Sequence, residues 1–136
     1  MVPVKKVLCG IVVCVVILAF SGCAEEATLI DSHVSPDGNY SLSLYQVGSP
    51  RWSFGDVQGK LVLYSFDDAT QVNEVSFSLS NDGTGVDANN IVEVDWQQTG
   101  VRVVLRHFDT AEVTECVLSY YGAVTNITRY VPEEVV

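Results

Sequence analysis

The chain has 136 residues, 48% of them hydrophobic, and its 10 glycines and 4 prolines are too few for a low-complexity chain. This length accommodates one hydrophobic core. The 17 acidic and 7 basic residues give a formal net charge of −10, which disfavours nucleic acid as a partner because binding a phosphate backbone depends on neutralising it with Lys and Arg.

Residues 1–22 have the layout of a secretory signal peptide. An uncharged apolar run from Val7 to Phe20 follows two lysines and precedes two small residues, Ser21 and Gly22. A membrane-spanning helix needs roughly 20 apolar residues, and this run is shorter. An uncleaved N-terminal anchor helix is the alternative interpretation. Under both interpretations we expect the domain to lie outside the cytoplasm.

The tetrapeptide Phe20-Ser21-Gly22-Cys23 resembles the lipobox of bacterial lipoprotein precursors, with Phe20 where Leu is usual. The resemblance implies cleavage between Gly22 and Cys23 and a diacylglyceryl thioether on Cys23, with acyl chains such as palmitate. Two acyl chains anchor a protein stably where one does not. We therefore expect Cys23 to hold the chain on the extracytoplasmic face of the cell membrane, with 17 acidic and five basic residues in the mature part.

Cysteine use agrees with this assignment. Two of the four cysteines lie in the signal peptide and Cys23 takes the lipid, so that Cys116 is a single thiol without an internal disulfide partner. Alternation in VTECVLSYY places Cys116 on one strand face with Thr114 and Leu118. We predict a buried, unreactive side chain there.

Residues 23–33 are expected to be an acidic tether with a first strand at its end, and residues 34–136 the folded domain. The SPDG sequence from Ser35 to Gly38 predicts a tight turn, because Pro36 presets φ and Asp37-Gly38 tolerates the reversal.

Apolar and polar residues then alternate with period two in NYSLSLYQV, KLVLYSF, EVSFSLS, IVEVDW and VRVVLRHF, followed by EVTECVLSYY and a weaker VTNITRYV. In IVEVDW the alternation assigns Val92, Val94 and Trp96 to one face. Gly, Pro, Asn and Asp separate the segments, and none has a helical pattern. We predict an all-β fold, a single antiparallel β-sandwich or small barrel of about six to eight strands after the signal helix.

The same stretch is similar to a group of small, uncharacterised lipoproteins from Gram-positive bacteria. The shared features are the SPDG turn, a GSP-x-W-x-FG loop and an NDG loop, here in SPDGNYSLSLYQVGSPRWSFGDVQGKLVLYSF and FSLSNDGTGVDANNIVEVDW. These motifs are turns and aromatics. The resemblance therefore implies a fold and a location, and it implies no activity.

The loop SNDGTGVDANN suggests a calcium site, since hard cations take several closely spaced oxygen ligands. The EF-hand pattern does not fit, because residues without ligand oxygens occupy its ligand positions. An irregular cation site of Asp82, Asp87 and Asn89 is one interpretation. A solvated loop, in which Asn, Asp and Gly serve turn geometry, is the other.

The segment SPRWSFGDVQGK is the strongest candidate for a binding loop. Arg51, Trp52 and Phe54 lie there in a Gly/Pro-rich connection; loops often carry function, and Trp with Arg is a pairing that binding hot spots favour. The alternative is that both aromatics fold back and pack against one end of the sandwich.

Catalytic chemistry has little support in the sequence. His33 and His107 are far apart and lack the spacing of a zinc pair, and we expect both to be surface or half-buried side chains. Neither a G-x-S-x-G elbow nor a helical S-x-x-K motif occurs. We predict that the protein is not an enzyme and uses no metal or cofactor.

Three functional hypotheses remain. The first is a membrane-anchored extracytoplasmic module that binds an unidentified protein or small molecule or has a structural role. The second is a small surface hydrolase or cation-dependent enzyme whose site assembles from loops. The third is an inhibitor or immunity-type protein that places its acidic surface on a basic partner, with an affinity that falls as salt rises.

Overall fold

The computed structural model describes residues 26–48, 56–67 and 69–133, which form eight strands and one 3-10 helix, η1. The strands are β1 (Ala27–Val34), β2 (Tyr40–Val47), β3 (Val57–Ser65), β4 (Gln71–Leu79), β5 (Ile91–Trp96), β6 (Gly100–Arg106), β7 (Val113–Ser119) and β8 (Thr125–Tyr130), and η1 is Ala88–Asn90. The prediction of an all-β fold is confirmed.

The strands form two four-stranded antiparallel sheets, in the orders β1-β2-β3-β4 and β5-β6-β7-β8. Each strand pairs with its neighbour along the chain. Two separate sheets that share one core make a β-sandwich. The expected signal peptide and Cys23 lie outside the described residues. No helix in the described part of the chain is long and apolar enough to cross a membrane.

Strand β1 begins inside the segment expected to be a tether. Ala27 pairs with Val47 and Val34 with Ser41, so the chain belongs to the first sheet from Ala27 onward. The register shifts at Ile30, which packs against the core. A β-bulge of this kind inserts one residue into an edge strand and bends it.

The core lies between the sheets and follows the period-two alternation of the sequence. Its fully buried leucines and valines come from the inward positions of β2, β3, β4, β6 and β7: Leu42, Leu44, Val57, Leu61, Leu63, Leu79, Val101, Val103, Leu105 and Leu118. Complete burial of such a side chain contributes about 1.5–3 kcal/mol. This apolar layer is the main contact between the two sheets.

Strand β5 departs from the predicted alternation. Its register shifts between Ile91 and Glu93, so Val92 is 58% exposed while Ile91, Val94 and Trp96 pack against the core. A bulge adds a residue on one strand and moves the side chains before it to the other face. The prediction that Val92 shares a face with Val94 was therefore wrong.

The antiparallel hairpins place their connections alternately at the two ends of the sandwich. At the upper end lie the turns 35–39, 97–99 and 120–124, which follow β1, β5 and β7. At the lower end lie the last residues of β2, β4 and β6, together with the start of β1 at Ala27. Any site built from turns thus belongs to one end or the other.

Candidate functional site

A cleft of about 450 Å³ opens at the upper end, where turns from both sheets meet. The β1–β2 turn forms one side, and the β5–β6 and β7–β8 turns form the other. The lining residues are Ser35, Pro36, Asp37, Asn39, Tyr40, Trp96, Gln97, Gln98, Tyr120 and Tyr121. Four aromatic rings and several amide groups thus face one cavity, and this combination is typical of small-ligand sites.

The SPDG turn, which the sequence predicts, forms the polar side of the cleft. Gly38 adopts a φ of 75°, and its N–H donates to the Ser35 carbonyl at 2.9 Å. The Ser35 hydroxyl donates to Asp37 Oδ1 at 2.6 Å and accepts the Tyr40 N–H at 3.0 Å. These bonds hold the Asp37 carboxylate in one position beside the cleft.

Asp37 is ionised at neutral pH. The bond from the Ser35 hydroxyl, and next the bond from the Asn39 backbone N–H at 3.0 Å, lower the pKa of its carboxyl group. The Asn39 side-chain amide donates to the other oxygen at 3.2 Å. Among the described residues that line the cleft, Asp37 is the only charged one.

The aromatic side of the cleft is built from three tyrosines. Tyr40 of the first sheet stacks on Tyr120 of the second, with ring centroids 4.2 Å apart and an interplanar angle of 12°. Tyr121 stands at 86° to Tyr120, with centroids 6.4 Å apart, and it is 71% exposed. Burial raises the pKa of Tyr120. Its hydroxyl is therefore neutral, and the wall presents aromatic faces in two orientations.

Two backbone contacts bring the β5–β6 and β7–β8 turns together. The Tyr120 N–H donates to the Thr99 carbonyl at 3.1 Å. A Cβ atom on Gly100 would lie 2.3 Å from the Leu118 carbonyl oxygen, far inside van der Waals contact. Glycine at position 100 therefore permits the close approach that places Trp96 beside Tyr120.

Asn73 of β4 holds the β7–β8 turn from the other sheet. Its buried side-chain Nδ2 lies 3.3 Å from the Ser119 carbonyl, 3.3 Å from that of Gly122 and 2.9 Å from that of Val124. One amide group thus bonds three carbonyls of the turn that carries Tyr120 and Tyr121. Asn73 positions the aromatic wall and does not line the cleft itself.

The sequence-predicted binding loop lies outside the described residues. Arg51, Trp52 and Phe54 fall in the segment that joins Val47 of β2 to Val57 of β3. Both of those strand ends are at the lower end of the sandwich. The prediction of a binding loop therefore stays a prediction, and the upper-end cleft is described from the residues of other turns.

The acidic loop at the lower end uses its polar groups for its own structure. Asp82 adopts a φ of 51°. Asp87 caps η1, with Oδ1 accepting the Asn89 N–H at 2.8 Å. Asn81 and Asn90 exchange two side-chain bonds of 3.0 Å each. The described residues contain no cluster of three or more His, Cys, Asp or Glu side chains that could hold a metal ion.

Of the two histidines, His33 is half-buried as predicted, whereas the prediction for His107 was wrong. His33 Nε2 lies 2.9 Å from Asp31 Oδ2 on β1. His107 is 3% exposed. Its Nδ1 accepts the Ser80 N–H at 2.9 Å, and its Nε2 lies 2.8 Å from the Thr114 hydroxyl oxygen. Two hydrogen bonds let the ring be buried without an unpaired polar atom.

Cys116 is fully buried, as predicted. Thr114 and Leu118, which share its strand face, are buried with it. Burial raises the pKa of the Cys116 thiol to about 12, so it is protonated at neutral pH. A buried, protonated thiol is a poor nucleophile.

Sequence reasoning identified the SPDG turn but not the cleft. Trp96 and Tyr120 are expected on inward strand faces from their alternation, and Tyr121 carries no signal of its own. The cleft joins residues of two sheets that are 56 to 86 positions apart in the chain. The one local signal was the density of aromatic and amide residues in DWQQ and SYYG, next to two predicted turns.

We expect Asn73→Ala to loosen the aromatic wall, because it removes the amide that reaches three carbonyls of the β7–β8 turn. Loss of a typical hydrogen bond costs about 0.5–1.5 kcal/mol. Hydrogen exchange should therefore speed up at the Ser119 amide, which donates to the Val124 carbonyl in this turn. Ser76→Ala, at an exposed position of the same strand, is the matched control. Equal exchange rates in the two variants would contradict this role for Asn73.

We expect His107 to make stability depend on pH. Burial, and next the positive charge of Arg129, lower the pKa of His107 in the folded chain, whereas in the unfolded chain it is about 6.5. Below that pH the unfolded state binds the proton more readily, so the folded state loses stability as pH falls. The gap in unfolding free energy between the wild type and His107→Gln should narrow from pH of about 7.5 to about 5.5. Urea denaturation measures it, and a constant or widening gap would refute the assignment.

A scan against protein-family models, a search of curated proteins and a search of solved structures each found no match to this chain. The contacts around the upper-end cleft are thus the observations that support a function.

Proposed function

We propose that this chain is a lipid-anchored extracytoplasmic protein that binds a ligand in its upper-end cleft and carries out no chemistry there. The observation that carries the proposal is the position of the cleft relative to the start of β1. The cleft lies at one end of the sandwich and Ala27 at the other. A protein anchored just before Ala27 would present the cleft away from its anchor.

The anchor itself is proposed from the lipobox-like tetrapeptide that ends at Cys23. Cys23 precedes Ala27 by four residues, so a lipid on its thiol lies only a short stretch of chain from the lower end. Two acyl chains are enough to hold a domain at a bilayer without a spanning helix. The partner proposed for Cys23 is the cell membrane.

The orientation follows from β1. Its eight residues, at roughly 3.3 Å per residue, span about 26 Å from the lower to the upper end. The cleft would then face the medium at this height above the bilayer. The loop from Asp82 to Asn89 would lie on the membrane side.

The described residues support binding over catalysis. The Ser35 hydroxyl already donates to Asp37 and accepts from Tyr40, so it serves the turn. Cys116 is protonated and buried, and both ring nitrogens of His107 have partners. His33 bonds Asp31 and does not line the cleft. The groups that usually act as nucleophile or base are thus engaged in the structure.

The anchor is tested by mass spectrometry of protein extracted from membranes. We expect the wild-type protein to begin at Cys23 and to carry a diacylglyceryl group on that residue. We expect the Cys23→Ala variant to keep its first 22 residues. Cys14→Ala changes a cysteine within the apolar run and is the matched control, which should be processed and lipidated normally. An unmodified residue 1 in the wild type would overturn the lipoprotein assignment.

The binding site is tested by photocrosslinking in intact cells. A benzophenone amino acid replaces Tyr121, at the rim of the cleft, or Leu29, which is 56% exposed near the start of β1. We expect discrete adducts from position 121 and none of the same mass from position 29. Equal adduct patterns at the two positions, or none at position 121, would contradict binding at the cleft.

A further inference from the structure

We propose that the upper-end cleft binds an organic cation, a substituted ammonium group, an inference that rests on the proposed function and names the ligand class of the same site. Three features of the cleft support this proposal: two aromatic rings at about right angles, one fixed carboxylate, and no positively charged side chain among the described lining residues. Each favours a positively charged ligand of low hydration over an anion or a metal ion.

The aromatic wall provides the first contribution. The face of a Trp or Tyr ring attracts a cation through the ring quadrupole, and sites of this kind recognise substituted ammonium groups. Tyr120 and Tyr121 stand at 86° to each other, and Trp96 lines the same cavity. One face of Tyr120 is covered by the Tyr40 ring, so the rings offered to an alkylated cation are chiefly Tyr121, which is 71% exposed, and Trp96.

Asp37 provides the second contribution. Its carboxylate is ionised and held in place by the Ser35 hydroxyl at 2.6 Å and by the Asn39 backbone and side-chain N–H groups at 3.0 and 3.2 Å. It lies in the turn of the other sheet and lines the same cleft as Tyr121. A cation in the cleft would therefore have a fixed negative charge in the same lining as its aromatic contacts.

The charges of the cleft lining and of the whole chain also favour a cationic ligand. The described lining includes no Lys, Arg or His, so an anionic ligand would find no counter-charge. The formal net charge is −10, and such a field raises the local concentration of cations near the surface. The single carboxylate lacks the several oxygen ligands that a hard metal ion requires. An organic cation fits all of these conditions.

The test compares choline with 3,3-dimethylbutan-1-ol, its neutral isostere, on the full-length protein purified in a non-ionic detergent. The chain has two tryptophans, Trp52 and Trp96. The substitution Trp52→Phe leaves Trp96 as the only tryptophan, so that tryptophan fluorescence reports on the cleft. We expect choline to bind at least about threefold more tightly than the alcohol. Raising sodium chloride should weaken binding of choline and leave that of the alcohol unchanged.

Substitutions identify the groups responsible. Asp37→Asn keeps the shape of the side chain and removes its charge, so it should lower choline affinity about threefold or more without changing that of the alcohol. Asp82→Asn makes the same charge change at the lower end, at a φ of 51° that Asn tolerates, and should have little effect. Tyr121→Leu should weaken choline binding, and Tyr121→Phe should retain it.

The outcomes separate the two proposals. Equal affinities for choline and its neutral isostere, an Asp37→Asn variant that binds choline as the wild type does, or the absence of choline binding would each overturn the organic-cation inference. Adducts at position 121 in intact cells would still support the cleft as a binding site. Loss of those adducts would overturn the proposed function itself.

Discussion

The two sheets are held together by the apolar layer between them, because every strand pairing lies within one sheet. Each sheet is a continuous series of four hairpin-linked strands, so no strand passes from one to the other. The inward leucines and valines of β2, β3, β4, β6 and β7 supply the contact. All other features depend on this packing, since the turns of the two sheets meet only where the layer places them.

Polar contacts at the two ends fix how the sheets align. At the upper end Asn73 of β4 bonds three carbonyls of the β7–β8 turn. At the lower end the Ser80 N–H donates to the His107 ring and the Ser80 carbonyl accepts the Phe108 N–H at 3.0 Å. An apolar layer is non-directional, whereas a hydrogen bond requires a defined geometry. These contacts therefore give the packed sheets a defined alignment.

The two ends of the sandwich differ in their groups. The lower end contains the start of β1 and a loop in which the Asn81 and Asn90 side chains bond to each other. The upper end contains stacked tyrosines, a fixed carboxylate and a cleft lined with amides. The antiparallel strands keep the two ends apart by about the length of a strand. Under the proposed function, the anchor and the ligand site would be separated by this distance.

The sequence by itself determined strands β2 to β8, the SPDG turn and the burial of Cys116, because these depend on period-two alternation and on the φ preferences of Pro36 and Gly38. The extent of β1 was not determined, since the strand begins inside the segment expected to be a tether. It did not determine the bulge at Val92, since one inserted residue leaves the pattern of hydrophobicity almost unchanged. Nor did it determine the cleft. Asp37, Trp96 and Tyr121 belong to different hairpins, and only the packing of one sheet on the other brings them to a common cavity.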